Sequence, residues 1–423
     1  MHQPLTRTRQ LTMFGIATVA AVALSACGGG SSFDEEPGAS GDPSEDAGGT
    51  AALDILIASS GDAETAAVTE AADAWAAETG NTVEIVVAQD IAQQLSQGFA
   101  GGNPPDVFYL DAARFADYAA NGSLEPYADQ IEDFEDFYEP LRQTFTFEET
   151  AYCVPKDFST LALEIRTDSW EAAGLTDADI PTTWDELADV AQTLTTGEQT
   201  GLVIGDTRDR IGAFMVQAGG WVIGDDGTTV TADSPENAEA LAYLKGLLEA
   251  GSLKYPSQVD SGWGGEAFGT GKAAMTIEGN WIRGAMTNDY PDVDYMAVEL
   301  PEGPAGKGTL QFTQCWGIAA DSDATEQAIS LVQYLTEVDQ QLAAAEAFGV
   351  MPSRESASAG YLEQFPDDAA FVAGGEYGQG PVNAPGMESV LLDFDTGLQQ
   401  LASGDPAQIL GTLQSNAEAV IGQ

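Results

Sequence analysis

Histidine is almost absent from this sequence, since the one copy is His2. Catalytic machinery built on Ser-His-Asp or Cys-His, and metal sites built on imidazole, all need histidine in the folded part of a protein. Those classes are therefore excluded, and we expect no catalytic residue, no metal and no cofactor. Catalysis by a pair of carboxylates needs no histidine and stays open.

Basic residues are also scarce, because 14 lysines and arginines stand against 68 acidic residues and give a net charge of −54. Nucleic acids and anionic membrane surfaces would be repelled by such a chain. Anionic solutes are disfavoured unless a local basic pocket overrides the field, whereas neutral polyols and cations remain open. With 43% hydrophobic residues the composition is that of a folded protein.

No apolar run is long enough to cross a bilayer, which takes about 20 residues. The apolar run of residues 11–26 has 16 residues and follows Arg7 and Arg9, which is typical of a secretory signal. Its end, Leu24-Ser25-Ala26-Cys27, resembles the lipobox of bacterial lipoproteins, in which the signal is cut before a lipid-carrying cysteine. We predict a signal peptide over 1–26 and a lipid anchor at Cys27; an ordinary signal peptide is the alternative.

Only three cysteines occur. If Cys27 carries lipid, Cys153 and Cys315 remain as an even pair in an oxidising compartment, which favours one disulfide over two free buried thiols. Residues 27–52 are rich in Gly, Ser, Pro and acid, which is typical of a flexible tether. We expect the folded body to be held at the outer, extracytoplasmic face of the cytoplasmic membrane.

The body from residue 53 onward exceeds what one core usually serves, so two domains are expected. Its start alternates strands and helices: LDILIAS, a helix ended by Gly80, TVEIVVA, a second helix, and PPDVFYLD. This α/β alternation predicts a parallel sheet with helices on both faces. Ligands bind such sheets at the carboxyl ends of their strands, so the loops after LDILIAS and PPDVFYLD are candidates for a site.

Several motifs in order resemble one known family: the lipobox and acidic tether, LDILIAS, GGNPPDVFYLDAARFADYAANGSLEPY, YCVPKDFSTLAL, PTTWDEL and FGTGKAAMTIEGNW. From residue 53 on, the chain resembles the extracellular carbohydrate-binding proteins of bacterial ABC importers, the maltose-binding-protein-like family. The resemblance implies an α/β, two-lobed periplasmic-binding-protein fold of type II, with a hinge that the chain crosses more than once. Lobe 1 would comprise 53–160 plus 296–360, and lobe 2 would comprise 161–295 plus 361–423.

The same resemblance implies a function. A monomeric, non-enzymatic receptor would capture a neutral di- or oligosaccharide between its lobes and deliver it to the permease subunits of an ABC importer. Two other interpretations stay open. The same fold could bind a cationic solute such as a polyamine, boxed by tryptophans, or the chain could be a secreted glycosidase that uses two carboxylates.

A sugar needs carboxylates or amides around its ring edge and flat aromatic rings against its C–H face. Asp62 and Asp111 follow the first and third predicted strands, with helix capping as the alternative role. Lys156 and Asp157 approach the hinge, with a simple ion pair as the alternative. The polar candidates are Ser60, Asp62, Asp111, Arg114, Lys156, Asp157, Ser159 and Arg354.

Seven tryptophans divide into two groups. Those in helical surroundings, Trp75, Trp170 and Trp184, are expected in the core. Those in or beside glycine-rich loops are candidates for stacking on sugar, with core packing as the alternative: Trp221, Trp263, Trp281 and Trp316. Trp281, in IEGNW, falls on the position that stacks on sugar in the family.

The sequence departs from the family pattern at two places. No tryptophan occurs near Leu391, where a further stacking aromatic is expected, and Ser159 stands where a ligand-binding glutamate is expected. Specificity for maltose itself is therefore not implied.

Overall fold

The computed structural model describes residues 49–224 and 226–421. The predicted signal peptide, the anchor at Cys27 and nearly all of the tether lie outside the described residues, so they stay predictions. Within the described part of the chain, no helix combines the length and apolar character that crossing a membrane requires.

The strands in the described residues are numbered in chain order: β1 Ala52–Ile57, β2 Thr82–Val87, β3 Val107–Asp111, β4 Thr146–Phe147, β5 Thr150–Ala151, β6 Val154–Arg166, β7 Thr200–Val203, β8 Leu253–Lys254, β9 Ala273–Gly279, β10 Tyr295–Val298, β11 Thr309–Ile318 and β12 Gly378–Gln379. The main sheet runs β2-β1-β3-β11-β6-β9-β7-β8, and β10 and β12 add to β6 and β11.

The helices of the same residues are α1 Asp62–Thr79, α2 Ile91–Gly101, α3 Ala112–Ala120, α4 Glu139–Thr144, α5 Thr167–Ala172, α6 Trp184–Leu194, α7 Arg208–Gln217, α8 Pro235–Ala250, α9 Gly264–Gly269, α10 Ile282–Asp289, α11 Thr325–Leu335, α12 Val338–Phe348, α13 Ser358–Gln364, α14 Ala369–Gly374, α15 Glu388–Leu398 and α16 Pro406–Ile421.

The first five elements have the types predicted from the sequence. α1 buries Val68, Ala72 and Trp75 at helical spacing and ends at Gly80, whose φ of 79° favours glycine. α2 begins after Asp90, whose carboxylate accepts a hydrogen bond from the Gln93 amide at 3.0 Å. The apolar periodicity and the caps therefore explain this part of the fold locally.

The direction of the strands is only partly as expected. β1 pairs in parallel with β2 and with β3, as predicted. β11, however, pairs antiparallel with both β3 and β6, and β6 pairs antiparallel with β9 and β10. The sheet is mixed, because chain direction depends on long connections that the apolar pattern does not encode.

The long strands β6 and β11 run between two large core clusters. One cluster contains Ile55 and Phe108, and the other contains Leu163 and Phe214. The amino-terminal half of β6 pairs with β11, and its carboxyl-terminal half pairs with β9. This arrangement fits the two-lobed α/β class implied by the sequence.

A third core cluster lies apart from these two. It contains Met351, which belongs to the range 296–360 predicted for lobe 1, together with Phe268, which belongs to the range predicted for lobe 2. The exact lobe boundaries stay a prediction.

Candidate ligand-binding site

Polar side chains from three neighbouring strands converge on one part of the main sheet. Gln314 of β11 lies opposite Asp111 of β3 and opposite Asp157 of β6, and Phe312 lies opposite Ser159. Residues directly opposite each other in an antiparallel pair project from the same face of the sheet. These five side chains therefore form a continuous floor, with Gln314 between the two aspartates.

An ion cluster borders this floor at the start of α1. The Lys156 ammonium lies 3.2 Å from Glu64 Oε1 and also contacts the Asp157 carboxylate, and it stands 4.5 Å from the centre of the Tyr109 ring. The Tyr109 hydroxyl donates to Glu64 Oε1 at 3.1 Å. The Ser60 amide and hydroxyl both donate to Glu64 Oε2 at 2.7 Å.

Electrostatics favour the charged forms of Glu64 and Lys156, whereas burial raises the pKa of Asp157. Burial raises the pKa of Glu64. The Lys156 charge and the hydrogen bonds from Ser60 together lower this pKa by more than burial raises it, so the net shift is downward. Burial lowers the pKa of Lys156, but the charges of Asp157 and its other partners raise it above the ordinary value. Lys156 therefore remains a cation, and it is paired with Glu64 and Asp157.

Two cavities open on either side of the floor. The first has a volume of about 540 Å³ and lies between α1 and α12; its lining includes Tyr109, Lys156, Asp157, Trp316, Phe348 and a run of alanines on both helices. The second has a volume of about 230 Å³, and its lining includes Asp111, Arg208, Asp209, Trp221, Phe312 and Leu391. Asp157 in one cavity and Asp111 in the other both face Gln314.

Trp281 stands next to the second cavity. Its ring is 5.3 Å from the Phe312 ring, at an interplanar angle of 84°, and Phe312 lines that cavity. The residue is 38% exposed, which is unusual for a tryptophan. Trp281 therefore offers an accessible aromatic surface beside a polar floor.

The comparisons with known proteins identify the family. The model of the bacterial extracellular solute-binding proteins matches residues 70–373 of this chain. The chain belongs to this family. A relative from Brucella abortus (strain 2308), named only as a binding protein, is 25% identical over 355 residues, covering 80% of this chain and 85% of its own length.

Solved structures of other proteins have a similar fold. The cyclic alpha-maltosyl-1,6-maltose binding protein of Arthrobacter globiformis has a TM-score of 0.79 and 22% identity, covering 88% of this chain and 99% of that one. An ABC substrate-binding protein of Listeria monocytogenes, solved with cycloalternan, has a TM-score of 0.75 and 21% identity, covering 88% and 100%. At these identities the likeness establishes the two-lobed α/β fold.

Several of the residues predicted for the site do line the solute-binding protein's two cavities. Lys156, Asp157 and Trp316 line the first, and Asp111 and Trp221 line the second. Trp316 is 4% exposed and meets Tyr109 edge-on at 4.8 Å, so it forms part of the cavity wall. Whether any of them binds solute stays a prediction.

Other predicted residues have more local roles. Asp111 caps α3 by accepting from the Ala113 amide at 2.9 Å, and exposed Asp62 is the first residue of α1. Arg114 pairs with Glu388 at 2.7 Å on the surface. Trp263 is partly buried against the third core cluster.

Arg354 is placed unlike a ligand-binding residue. It is 4% exposed, and its guanidinium donates to the carbonyl oxygens of Thr336, Asp133 and Glu132. A side chain so enclosed ties loops together, and we do not retain it in the proposed site.

The structure joins Cys153 and Cys315 in a disulfide, with their Cα atoms 5.8 Å apart. Cys315 lies at the irregularity of the β6–β11 pairing, next to Gln314. The bridge thus fixes the strand pair that carries Asp157 and Gln314. Both cysteines belong to the same core cluster, the one that contains Ile55 and Phe108.

Reasoning from the sequence missed several residues of the site: Glu64, Tyr109, Arg210, Glu278, Phe312 and Gln314. Glu64 carried a signal, because it shares the buried face of α1 with Val68 and Ala72. A carboxylate on an apolar helix face needs a partner, here Lys156. Within the described residues, no group of three or more His, Cys, Asp or Glu side chains is arranged to hold a metal ion.

Proposed function

We propose that the protein is the solute-binding component of a bacterial ABC importer and that it binds a neutral di- or oligosaccharide over the Asp111–Gln314–Asp157 floor. The observation that carries the proposal is the exposed indole of Trp281 beside that polar floor. An aromatic face packs against the C–H face of a sugar, and carboxylates and amides bind its hydroxyls. The Arthrobacter protein binds cyclic alpha-maltosyl-1,6-maltose and the Listeria protein was solved with cycloalternan, which agree with this ligand class.

Gln314 has a side chain suited to this task. It is half-buried at the centre of the floor, and its amide group makes no hydrogen bond to any residue in 49–224 or 226–421. A primary amide offers two donors and one acceptor, which match the hydroxyls of a sugar. We therefore assign Gln314 to the ligand, although the sequence alone did not single it out.

The charges around the floor support a neutral ligand. Arg208 pairs with Asp395, Arg210 with Glu278, and Lys156 with Glu64 and Asp157. Because each of these three cations already has a carboxylate partner, an anionic solute would find no uncommitted positive charge among them. A cationic solute such as a polyamine is the second candidate, favoured by the net charge of −54.

The proposal includes the movement of two lobes, 53–160 plus 296–360 and 161–295 plus 361–423, about β6 and β11. Closure around solute would create the form that docks on the permease. The anchor at Cys27 would hold a monomeric receptor at the outer face of the cytoplasmic membrane. We propose no catalysis and assign Asp111 and Asp157 on the floor to binding; the pair Glu164 and Glu278 is fully buried and inaccessible to a glycosidic bond.

The test is a thermal-shift and calorimetric screen of the protein against neutral saccharides, polyamines and glycerol phosphates. A ligand at about 100 times its Kd stabilises the folded state by about 2.7 kcal/mol, a shift of several degrees. We expect a saccharide series to bind with an affinity that is nearly independent of salt. Binding of amines alone, weakened by salt, would support the second candidate, and release of shorter sugars would reveal a glycosidase.

Trp281→Ala supplies the residue-level arm of this test. We expect it to weaken saccharide binding by about tenfold or more, since stacking on the indole is lost. The matched control is Val87→Ala on β2, an apolar residue that is 44% exposed and lies outside both cavities. Equal affinities of wild type and Trp281→Ala would remove the observation on which the proposal rests.

A further inference from the structure

We propose that Glu278, Arg210 and Gly279 are positioning residues that hold the indole of Trp281 in the orientation a sugar ring requires. This inference rests on the proposed function, which it deepens by naming what sets the aromatic surface. The three residues come from two elements, α7 and the end of β9. None of them was recognised from the sequence.

Glu278 fixes the edge of the ring. Its Oε2 accepts a hydrogen bond from Trp281 Nε1 at 3.1 Å and is also the ion-pair partner of Arg210. The residue is 1% exposed, so the indole N–H is bonded to a buried carboxyl group that also pairs with Arg210. Such a bond restrains the rotation of the ring more than a bond to water would.

Arg210 extends from α7 over the aromatic pair. Its Cζ lies 5.2 Å from the centre of the Trp281 ring and 5.8 Å from that of Phe312. Cation–π attraction and the ion pair therefore act on the same two side chains. The Arg210 Nη1 also donates to the Asp209 carbonyl at 2.9 Å, while its Nε is buried without a partner among the described residues.

The ring of Trp281 packs against the backbone of Gly279. A Cβ atom at this position would stand 2.2 Å from Cζ3 of Trp281, so the indole packs directly against the glycine backbone. Gly264 leaves space for Glu278 in a similar way, since a Cβ atom at Gly264 would lie 2.6 Å from Glu278 Oε1. Glycines thus leave the room that the indole and its carboxylate partner occupy.

The backbone of the Trp281 loop is anchored separately. The backbone N–H of Asn280 donates to Ser159 Oγ at 3.2 Å. The side chains of Asn280 and Arg283 donate to the Gly349 carbonyl at 3.1 and 2.9 Å. Changes at Glu278, Arg210 or Gly279 should therefore turn the indole while these anchors hold the loop. That separation makes the proposal testable.

The experiment is a set of double-mutant cycles between Trp281→Ala and each of Glu278→Gln, Arg210→Met and Gly279→Ala. With Trp281 present we expect each change to weaken binding of the saccharide found in the screen by about tenfold. Without Trp281 each should change affinity by less than about twofold, since the group it acts through is gone. Equal losses in both backgrounds would overturn the positioning role.

A second readout needs no ligand. The fluorescence of Trp281 is the spectrum of a protein minus that of the same protein carrying Trp281→Phe. In all three variants this difference spectrum should change in wavelength and in acrylamide quenching relative to the wild type. Glu299→Gln is the matched control, because Glu299 also accepts from a cation and an aromatic donor, Lys307 and Tyr377, away from Trp281. An unchanged Trp281 signal in the three variants would overturn the inference even if sugar binds.

The two proposals fail in different ways. If no saccharide binds the wild-type protein but the Trp281 signal responds as expected, the proposed function fails and the positioning role stands. If Glu278→Gln does not fold, as its melting curve would show, Arg210→Met and Gly279→Ala still decide the matter. The Arg210 side chain is 15% exposed and so better tolerates replacement.

Discussion

At the scale of single residues, Glu164 is a buried carboxylate that uses only part of its hydrogen-bonding capacity. Its Oε2 accepts from the Glu278 amide at 3.0 Å, whereas Oε1 is buried without a partner among the described residues. Burial, and then the nearby charge of Glu278, raise the pKa of Glu164 well above its ordinary value. Between the ordinary glutamate pKa and the raised pKa, the folded protein therefore binds a proton at Glu164 that the unfolded chain releases.

A definite pH dependence follows from this pKa. Because the folded state holds more protons than the unfolded state above the ordinary glutamate pKa, the free energy of unfolding should fall as pH rises from there. Glu164→Gln mimics the protonated form at every pH, so we expect it to be close to neutral at low pH and stabilising by about 1–2 kcal/mol at pH 8. Urea unfolding of both proteins at pH 5 and pH 8 measures this difference. A destabilised variant at pH 8 would contradict the assignment.

The role of a residue, in the core or in the site, could be predicted only where the neighbouring sequence indicates it. Trp75, Trp170 and Trp184 are buried, as their helical surroundings predicted. Gln314 lies opposite Asp111 and Asp157 only because strands distant in the sequence pair, and the residues that flank Gln314 in the sequence do not indicate this pairing. Arg354 was a candidate ligand contact, yet two of the carbonyl groups that enclose it belong to Asp133 and Glu132, more than 200 residues earlier in the chain.

At the scale of elements, β6 and β11 are the paired strands that we propose as the hinge, and the disulfide closes a long loop between them. Cys153 and Cys315 are 162 residues apart. In the chain-entropy account, a cross-link over that length stabilises the folded state by up to about 5 kcal/mol. Since both cysteines share one core cluster, the bridge should stiffen that cluster and leave the hinge free.

Cys153→Ala with Cys315→Ala tests this role. We expect the free energy of unfolding to fall by about 3–5 kcal/mol, and saccharide affinity to stay within about twofold at a temperature where the variant is folded. Wild-type protein unfolded with and without reductant provides the control, and the two comparisons should agree. A large loss of affinity in a folded variant would mean that the bridge also sets the positions of Asp157 and Gln314.

The order and type of the first elements could be predicted, but the strand directions could not. Caps and apolar spacing are local, and they located α1 and α2 and the strands beside them. The antiparallel course of β6 and β11 depends on pairing between segments about 150 residues apart, which neither periodicity nor turn signals contain. The family resemblance gave the two-lobed class where the pattern alone predicted a parallel sheet.

At the scale of the whole molecule, charge is the dominant feature. The chain carries 68 acidic and 14 basic residues, for a net charge of −54. Several of its basic side chains form ion pairs around the site, including Arg208, Arg210 and Lys156. The acidic excess is therefore spread over surfaces with few cations to offset it, and like charges there repel one another in the compact state.

Screening of that repulsion should stabilise the protein. The Debye length falls from about 30 Å at 0.01 M salt to about 10 Å at 0.1 M, so distant carboxylates stop interacting first. We expect Tm to rise by a few degrees between 0.01 and 0.3 M NaCl and then to level off. Potassium chloride should give the same dependence of Tm on concentration, because screening depends on ionic strength. Sucrose at equal osmolality should not make Tm rise and then level off in this way. A Tm that falls with salt would mean that the buried pairs, such as Lys156 with Glu64, outweigh the repulsion of the surface.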